Sequence, residues 1–201
     1  MTCPDIFLMR HGQTMWNLQG RLQGRLDSNL TDQGKSQAAD LARIIAPIQA
    51  DRFSSPQGRA METARIAFSD NSFRIDARLA EIDVGDFTGH CLSDLQKSHP
   101  KIFESGGIDW YDMTPSGEHF SQLHDRCREF LADLAGPALI VTHGITLRML
   151  RVIAMDWPAT RINDLPVEQG VVHAIRDRSH SVLRKTCNQA ARGLDSPRHA
   201  G

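Results

Sequence analysis

The chain lacks a surplus of charge. Its 24 Asp and Glu nearly balance 23 Lys and Arg, for a formal net charge of −1. That balance gives no electrostatic case for nucleic acid or for an anionic membrane, although positive charge can still gather in one pocket. No apolar run approaches the roughly 20 residues needed to span a bilayer. No basic stretch followed by a long apolar one opens the chain, so no secretory leader is expected. The four cysteines, Cys3, Cys91, Cys127 and Cys187, are scattered without a Cys-x-x-Cys spacing. Neither a zinc site nor a redox motif is suggested. Free thiols in a reducing compartment are the simplest reading, and a cytoplasmic protein is expected. His90, His99, His119, His124, His173, His180 and His199 lack metal-ligand spacing and are expected at the surface or in the core. His173, on an alternating strand, reads as sheet surface. No internal repeat and no domain linker interrupt the chain.

What is present is an ordinary globular composition. The 201 residues are 40% hydrophobic and 23% charged, enough for one domain with a sizeable core. That domain is expected over residues 1–187. The Ala-, Arg-, Gly- and Pro-rich segment 188–201 has no periodicity and reads as a tail.

The chain is organised around its opening stretch. Ile6 to Met9 is a short apolar run ending in Arg10-His11-Gly12, the pattern of a buried strand. In an open α/β sheet, ligands bind beyond the carboxyl ends of such strands. Arg10 supplies a permanent, fork-shaped charge suited to phosphate. His11 is a nucleophile that is easily kept neutral near pH 7. Gly12 lets the backbone turn and approach a ligand closely. The same grammar returns later: Ala138 to Thr142 is a β-prone apolar run, followed by His143-Gly144 and then a helical pattern from Ile145 to Met155. Two strands that each end in His-Gly can bring His11 and His143 to one rim.

Between them the patterns alternate. Gln13 to Leu30 is polar and Gly-rich and reads as a long functional loop. Thr31 is a good N-cap for a helix whose apolar positions are Ala38, Leu41, Ile45 and Ile48. Arg52 to Pro56 is a short strand and turn, and a helix opens at Gly58-Arg59. Its N-terminus would offer free N–H groups to an anion, with Arg59 adding a bidentate fork. Phe73 to Leu79 reads as a third strand. Glu81 and Asp83 are both candidate acids. Alternation places them on the same side of an extended segment, so geometry does not separate them. Cys91 to Ile108 reads as one or two short helices, Trp110 to Pro115 as a loop, and Phe120 to Leu134 as a helix stopped by Gly136-Pro137. Val171 to Ile175 and Val182 to Lys185 read as paired strands with Asp177 to His180 between them. The βα alternation calls for a three-layer α/β/α sandwich. Its sheet is mostly parallel but mixed, with helices on both faces.

Four stretches together resemble the signatures of the histidine phosphatase, or phosphoglycerate mutase-like, superfamily. They are Arg10-His11-Gly12 with its Gly-rich sequel, Ser54-Ser55-Pro56 with Arg59-Ala60 and Thr63-Ala64, Leu79 to Gly89, and Val141-Thr142-His143-Gly144. The resemblance covers Ile6 to about Ile153 in family order. It implies a phosphatase that transfers the phosphoryl group of a small phosphomonoester to His11 and then to water. By the same resemblance Glu81 is the general acid and Asp83 is structural, and Arg10, Arg59 and His143 surround the phosphoryl oxygens. Asn17, Gln23, Gly24 and Gly144 stand at substrate-binding positions. No metal and no cofactor is implied, since the arginines supply the positive charge. The chain departs from the family in Gln13, where Glu is usual, and in Thr88, where an acidic residue is common. Ser116 and His119 likewise depart from a Pro-Gly-Gly-Glu-Ser element. Two other readings remain: a cofactor-dependent phosphoglycerate mutase and a catalytically silent phosphate-binding protein. The short segment between Glu81 and His143 resembles the phosphatases, because the mutases carry a longer insertion there.

Overall fold

The computed structural model describes residues 3–69 and 72–185; Cys187 and the segment read as a tail lie outside them. The chain begins with β1 (Ile6–Arg10), α1 (Met15–Leu18), α2 (Asp32–Ile45), β2 (Asp51–Ser54), α3 (Gly58–Ala67) and β3 (Arg74–Ile75). It continues with α4 (Leu92–Ser98), α5 (Phe120–Ala132), β4 (Ala138–Thr142), α6 (Gly144–Ala154), β5 (Val172–Arg176) and β6 (Ser179–Leu183).

The strands form one sheet in the order β3-β2-β4-β1-β5-β6. β1 to β4 pair in parallel, and β5 and β6 are antiparallel. Period-2 alternation sends the strand side chains into two cores. Ile6, Leu8, Ala138 and Ile140 pack with Leu123 and Phe130 of α5 and Leu147 and Leu150 of α6. Phe7, Met9, Leu139 and Val141 pack on the opposite face with Leu41 and Ile45 of α2, Ala60 and Ala64 of α3, and Phe68 just after it. Fully burying each large apolar side chain contributes about 1.5–3 kcal/mol. The fold is thus the three-layer α/β/α sandwich with a mixed sheet. No helix among the described residues is long and apolar enough to cross a membrane.

Several local expectations are corrected. The stretch after Gln13 is not all loop: Met15–Leu18 is a one-turn helix. Its capping box is closed by Asn17 N–H to Thr14 Oγ1 at 3.2 Å and Thr14 N–H to Asn17 Oδ1 at 3.1 Å. Such a helix is held by its cap rather than by an apolar stripe, so periodicity does not reveal it. β3 spans only Arg74–Ile75 and gives way to a 3₁₀ turn at Ala77–Leu79. Asp109–Met113 is likewise a 3₁₀ turn rather than loop. The connection between β5 and β6 is two residues, Asp177 and Arg178, with φ of 47° and 61°. That primed geometry suits the twist of a hairpin, and it returns Ser179 and His180 to the strand. His173 is not sheet surface. It is fully buried, its Nδ1 lies 3.2 Å from Arg151 Nη1, and burial pushes its pKa down to about 3.

Candidate active site

Pairing of β1 with β4 places Arg10 opposite Thr142. One residue further on, His11 N–H donates to the Thr142 carbonyl at 2.9 Å. The His11 and His143 rings then stand side by side, their centroids 5.1 Å apart. On the other side of β4, β2 ends at Ser54 opposite Val141. It delivers Ser55, whose N–H donates to the Val141 carbonyl at 2.9 Å. Three neighbouring strand ends therefore converge on the rim that the two His-Gly corners predict.

His11 is buried, and its Nδ1 lies 2.8 Å from the Gly12 carbonyl. A carbonyl only accepts, so Nδ1 carries the proton and Nε2 is bare. Arg59 Nε–H donates to that bare Nε2 at 3.3 Å. Burial first, then Arg59 and Arg10, hold the His11 pKa well below 6.5. The ring is a neutral base whose unprotonated Nε2 faces Arg59, as a nucleophile requires.

Gly12 is there for packing. Its backbone crosses α2 so closely that a Cβ would stand 2.3 Å from the Gly34 carbonyl oxygen. Its N–H donates to Thr63 Oγ1 at 3.0 Å. The close approach is to a helix backbone rather than to a ligand.

Arg59 differs from its expected use. Its Nη1 donates to the Leu26 carbonyl at 2.6 Å and to Asp27 Oδ1 at 2.9 Å, and its Nη2 donates to the Gly24 carbonyl at 3.0 Å. The outer fork thus holds the 24–27 loop, while Nε faces His11. The N-terminus of α3 is also occupied. Asp27 accepts from Gly58 N–H at 2.7 Å and Arg59 N–H at 3.2 Å, so those groups are not free for an anion.

The N-terminus of α6 is capped in the same way by Glu81. Its carboxylate accepts from Ile145 N–H at 3.3 Å, Thr146 N–H at 3.1 Å and Thr146 Oγ1 at 3.1 Å. Glu81 thereby lies against the His143-Gly144 corner. Gly144 is buried against both Glu81 and Arg10: a Cβ there would stand 3.6 Å from Glu81 Oε2 and 3.8 Å from Arg10 Nε, ordinary packing distances. Asp83 turns elsewhere. Its Oδ1 accepts from Gly85 N–H at 2.9 Å, and its own N–H donates to Glu118 Oε2 at 3.2 Å. Glu118 in turn pairs with Arg126 at 2.6 Å. The two acids that sequence alternation leaves equivalent are separated by these partners.

Arg10 Nη1 donates to the Val167 carbonyl at 3.1 Å, and its Nε is buried without a partner among the described residues. His143 Nδ1 is also buried and unpartnered. Burial first, then Arg59, His11 and Arg10, keep the His143 ring neutral by holding its pKa well below 6.5. A buried polar atom left unpaired calls for a partner, such as a ligand, an ion or a water.

The remaining expected positions divide. Gln23 is buried with its Oε1 unpaired, compatible with a ligand contact. Gly24 offers its carbonyl to Arg59 and to Gln57 Nε2, the latter at 2.7 Å, so it supports the site from behind. Asn17 spends its Oδ1 on the α1 cap and on Gln169 Nε2 at 3.4 Å. Gln13 Oε1 accepts from Thr31 Oγ1 at 2.9 Å, a bond at the start of α2. Sequence reasoning missed Gln169, whose Nε2 donates to the His11 carbonyl at 3.0 Å. It also missed Ser55, Gln57 and Asp27. Only the Ser-Ser-Pro turn carried any signal for these.

Among the described residues no group of three or more His, Cys, Asp or Glu could hold a metal ion. The positive charge at the site comes from Arg10 and Arg59.

The sequence pattern of the histidine phosphatase superfamily, branch 1, matches residues 6–189. The phosphoglycerate mutase-like protein 4 of Arabidopsis thaliana is 33% identical over 159 residues, 73% of this chain and 69% of that protein. The adenosylcobalamin/alpha-ribazole phosphatase of Escherichia coli is 28% identical over 200 residues, 95% of this chain and 98% of that one. The crystal structure of the alpha-ribazole phosphatase from Shigella flexneri superposes with a TM-score of 0.76 at 27% identity, covering 96% of this chain and 100% of that one. With this pattern matched over residues 6–189, the chain belongs to branch 1 of the histidine phosphatase superfamily.

Proposed function

We propose that the protein is a phosphatase that hydrolyses a small phosphomonoester through a phosphohistidine on His11. The observation that carries this reading is the bare His11 Nε2 facing Arg59 Nε at 3.3 Å, beside two unpartnered buried donors, Arg10 Nε and His143 Nδ1. In the first step Nε2 attacks phosphorus and the bond to the leaving oxygen breaks. Arg10 and Arg59 neutralise charge on the three equatorial oxygens and neutral His143 donates a hydrogen bond to them, the main demands of phosphoryl transfer. Glu81 protonates the leaving oxygen. In the second step Glu81 takes a proton from water, the water oxygen attacks phosphorus, and the N–P bond breaks. Gln23 and Gly144 border the space for the transferred group and its leaving oxygen.

Alpha-ribazole phosphates and other small phosphomonoesters are the substrate class that the relatives' names support. The mutase-like relative keeps a second reading in view, in which His11 returns the phosphoryl group to a sugar acid. A mutase must keep phosphohistidine from water, whereas a phosphatase must admit it. A panel of phosphomonoesters under single-turnover conditions, with acid-labile label followed in time, tests both. Rapid hydrolysis that is indifferent to EDTA and to bisphosphoglycerate is expected. Isomerisation of phosphoglycerate well above its hydrolysis, or activity lost in EDTA and restored only by a divalent ion, would overturn the reading.

A further inference from the structure

We infer that Ser55 is a positioning residue that sets the tautomer of His143 and so turns its Nδ1–H toward the phosphoryl oxygens; this rests on the phosphatase reading. Ser55 is fully buried, and its Oγ lies 2.7 Å from His143 Nε2. Three other groups bear on where the hydroxyl proton goes. Ser55 Oγ accepts from Gln57 N–H at 3.3 Å. Gln57 Oε1 is a rival acceptor for that proton, but at 3.5 Å. That oxygen already accepts from Glu81 N–H at 2.7 Å, and at 3.5 Å it is too distant for a strong second bond. The short contact therefore claims the proton, and Ser55 O–H donates to His143 Nε2. A neutral ring that accepts at Nε2 carries its own proton on Nδ1. Nδ1 is the atom left buried and unpartnered beside His11.

The alternative tautomer would aim a lone pair at an anion, a repulsion in place of a hydrogen bond. A neutral histidine can serve as a donor here only if something fixes its proton on the ligand side. Second partners of this kind commonly fix imidazole orientation and tautomer. The same turn reaches further: Gln57 ties Ser55 to the Glu81 backbone and, through Nε2, to the Gly24 carbonyl that also holds Arg59 Nη2. One short segment after β2 thus sets His143 directly and braces Glu81 and Arg59.

The test reads the tautomer itself. Long-range ¹H–¹⁵N spectra of the wild-type protein, at a pH where His143 is neutral, should show its proton on Nδ1. In Ser55→Ala the proton should move to Nε2. Orthovanadate binding and kcat/KM for p-nitrophenyl phosphate should weaken by roughly ten- to a hundredfold, the worth of one hydrogen bond to a charged group. In a His143→Ala background, Ser55→Ala should add almost nothing, because the group it acts through is gone. A wild-type spectrum with the proton on Nε2 overturns the inference even if the variant fails to fold. So does an equal loss in both backgrounds, which would mark a merely structural serine. A wild type that neither hydrolyses p-nitrophenyl phosphate nor binds orthovanadate overturns the phosphatase reading, and this inference falls with it. Normal turnover with the wrong tautomer sinks this inference alone.

Discussion

The two His-Gly corners read alike in sequence and do different work. At the first, after β1, the His11 Nδ1 proton is held by the next carbonyl and Nε2 is left bare toward Arg59. At the second, after β4, it is Nε2 that is engaged, by Ser55, and Nδ1 that is open. On the proposed reading the two rings, 5.1 Å apart, turn opposite kinds of atom toward one space, an attacking lone pair and a hydrogen-bond donor. Their glycines differ as well. Gly12 is wedged against the backbone of α2, whereas a Cβ at Gly144 would meet Glu81 and Arg10 only at ordinary packing distances. The residue pattern specifies two strand ends on one rim, and the partners specify the roles.

The largest expected effect breaks this comparison outright. His11→Ala should abolish the acid-labile phosphoenzyme, since it removes the ring nitrogen that accepts from Arg59. His143→Ala should slow formation of the phosphoenzyme yet leave the label on His11. Rapid quenching with radiolabelled substrate and mapping of the labelled peptide would decide between them. Label on the peptide containing His143 in the wild type would reverse the assignment.

A smaller effect separates the glycines. Gly12→Ala puts a methyl 2.3 Å from a carbonyl oxygen of Gly34 and 2.8 Å from its carbonyl carbon, so two backbones must part. Overpacking of that kind should cost about 3 kcal/mol of stability. Gly144→Ala meets only ordinary contacts, at 3.6 Å and 3.8 Å, and sits at the start of α6, where Ala is a good helix former. It should leave thermal unfolding near wild type while raising KM by crowding the leaving group. Denaturant titrations of the pair check this, and equal stability losses would show that both corners are packed alike.

How much of this was legible follows the physics of each feature. The strands β1 and β4 announce themselves because fully buried parallel strands are continuous apolar runs. The long helices announce themselves through period 3.6. The convergence of His11 and His143 follows from two such strands ending in the same dipeptide, provided they are neighbours. Pairing was the one assumption needed. The use of each polar side chain was not legible. Asp27 sits in a polar stretch and yet caps α3 from a loop 31 residues before it, and Gln169 reaches His11 from beyond the fourth signature. Glu81 and Asp83 are two residues apart with identical chemistry, and only α6 on one side and Glu118 on the other tell them apart. Long-range hydrogen bonds of this kind leave no period in the sequence. The glycine of the first corner shows the same limit. Its requirement is set by Gly34, 22 positions along, not by a local turn.

The smallest of these effects sharpens the difference by asking which corner Arg59 serves. Its hydrogen bonds reach His11 Nε2, Leu26, Asp27 and Gly24, and none reaches Glu81 or Gly144. Arg59→Lys keeps a positive charge but replaces a planar group holding four partners with a single ammonium. That ammonium cannot brace the 24–27 loop and face His11 together. Each hydrogen bond lost from the charged group costs about 1.5–3 kcal/mol, so kcat/KM should fall about tenfold or more. Because Glu81 and its cap on α6 are untouched, proton delivery to the leaving oxygen should survive. The loss should therefore be the same for an aryl phosphate, whose leaving group needs little protonation, and for an alkyl phosphate, which depends on the acid. Glu81→Gln should show the opposite signature, with turnover of the alkyl phosphate collapsing while the aryl phosphate still forms phosphoenzyme. Kinetics of both variants on both substrates make the measurement. A loss in Arg59→Lys that grows with leaving-group basicity would tie Arg59 to the glutamate's side of the site, and near-wild-type kinetics would place it outside the reaction altogether.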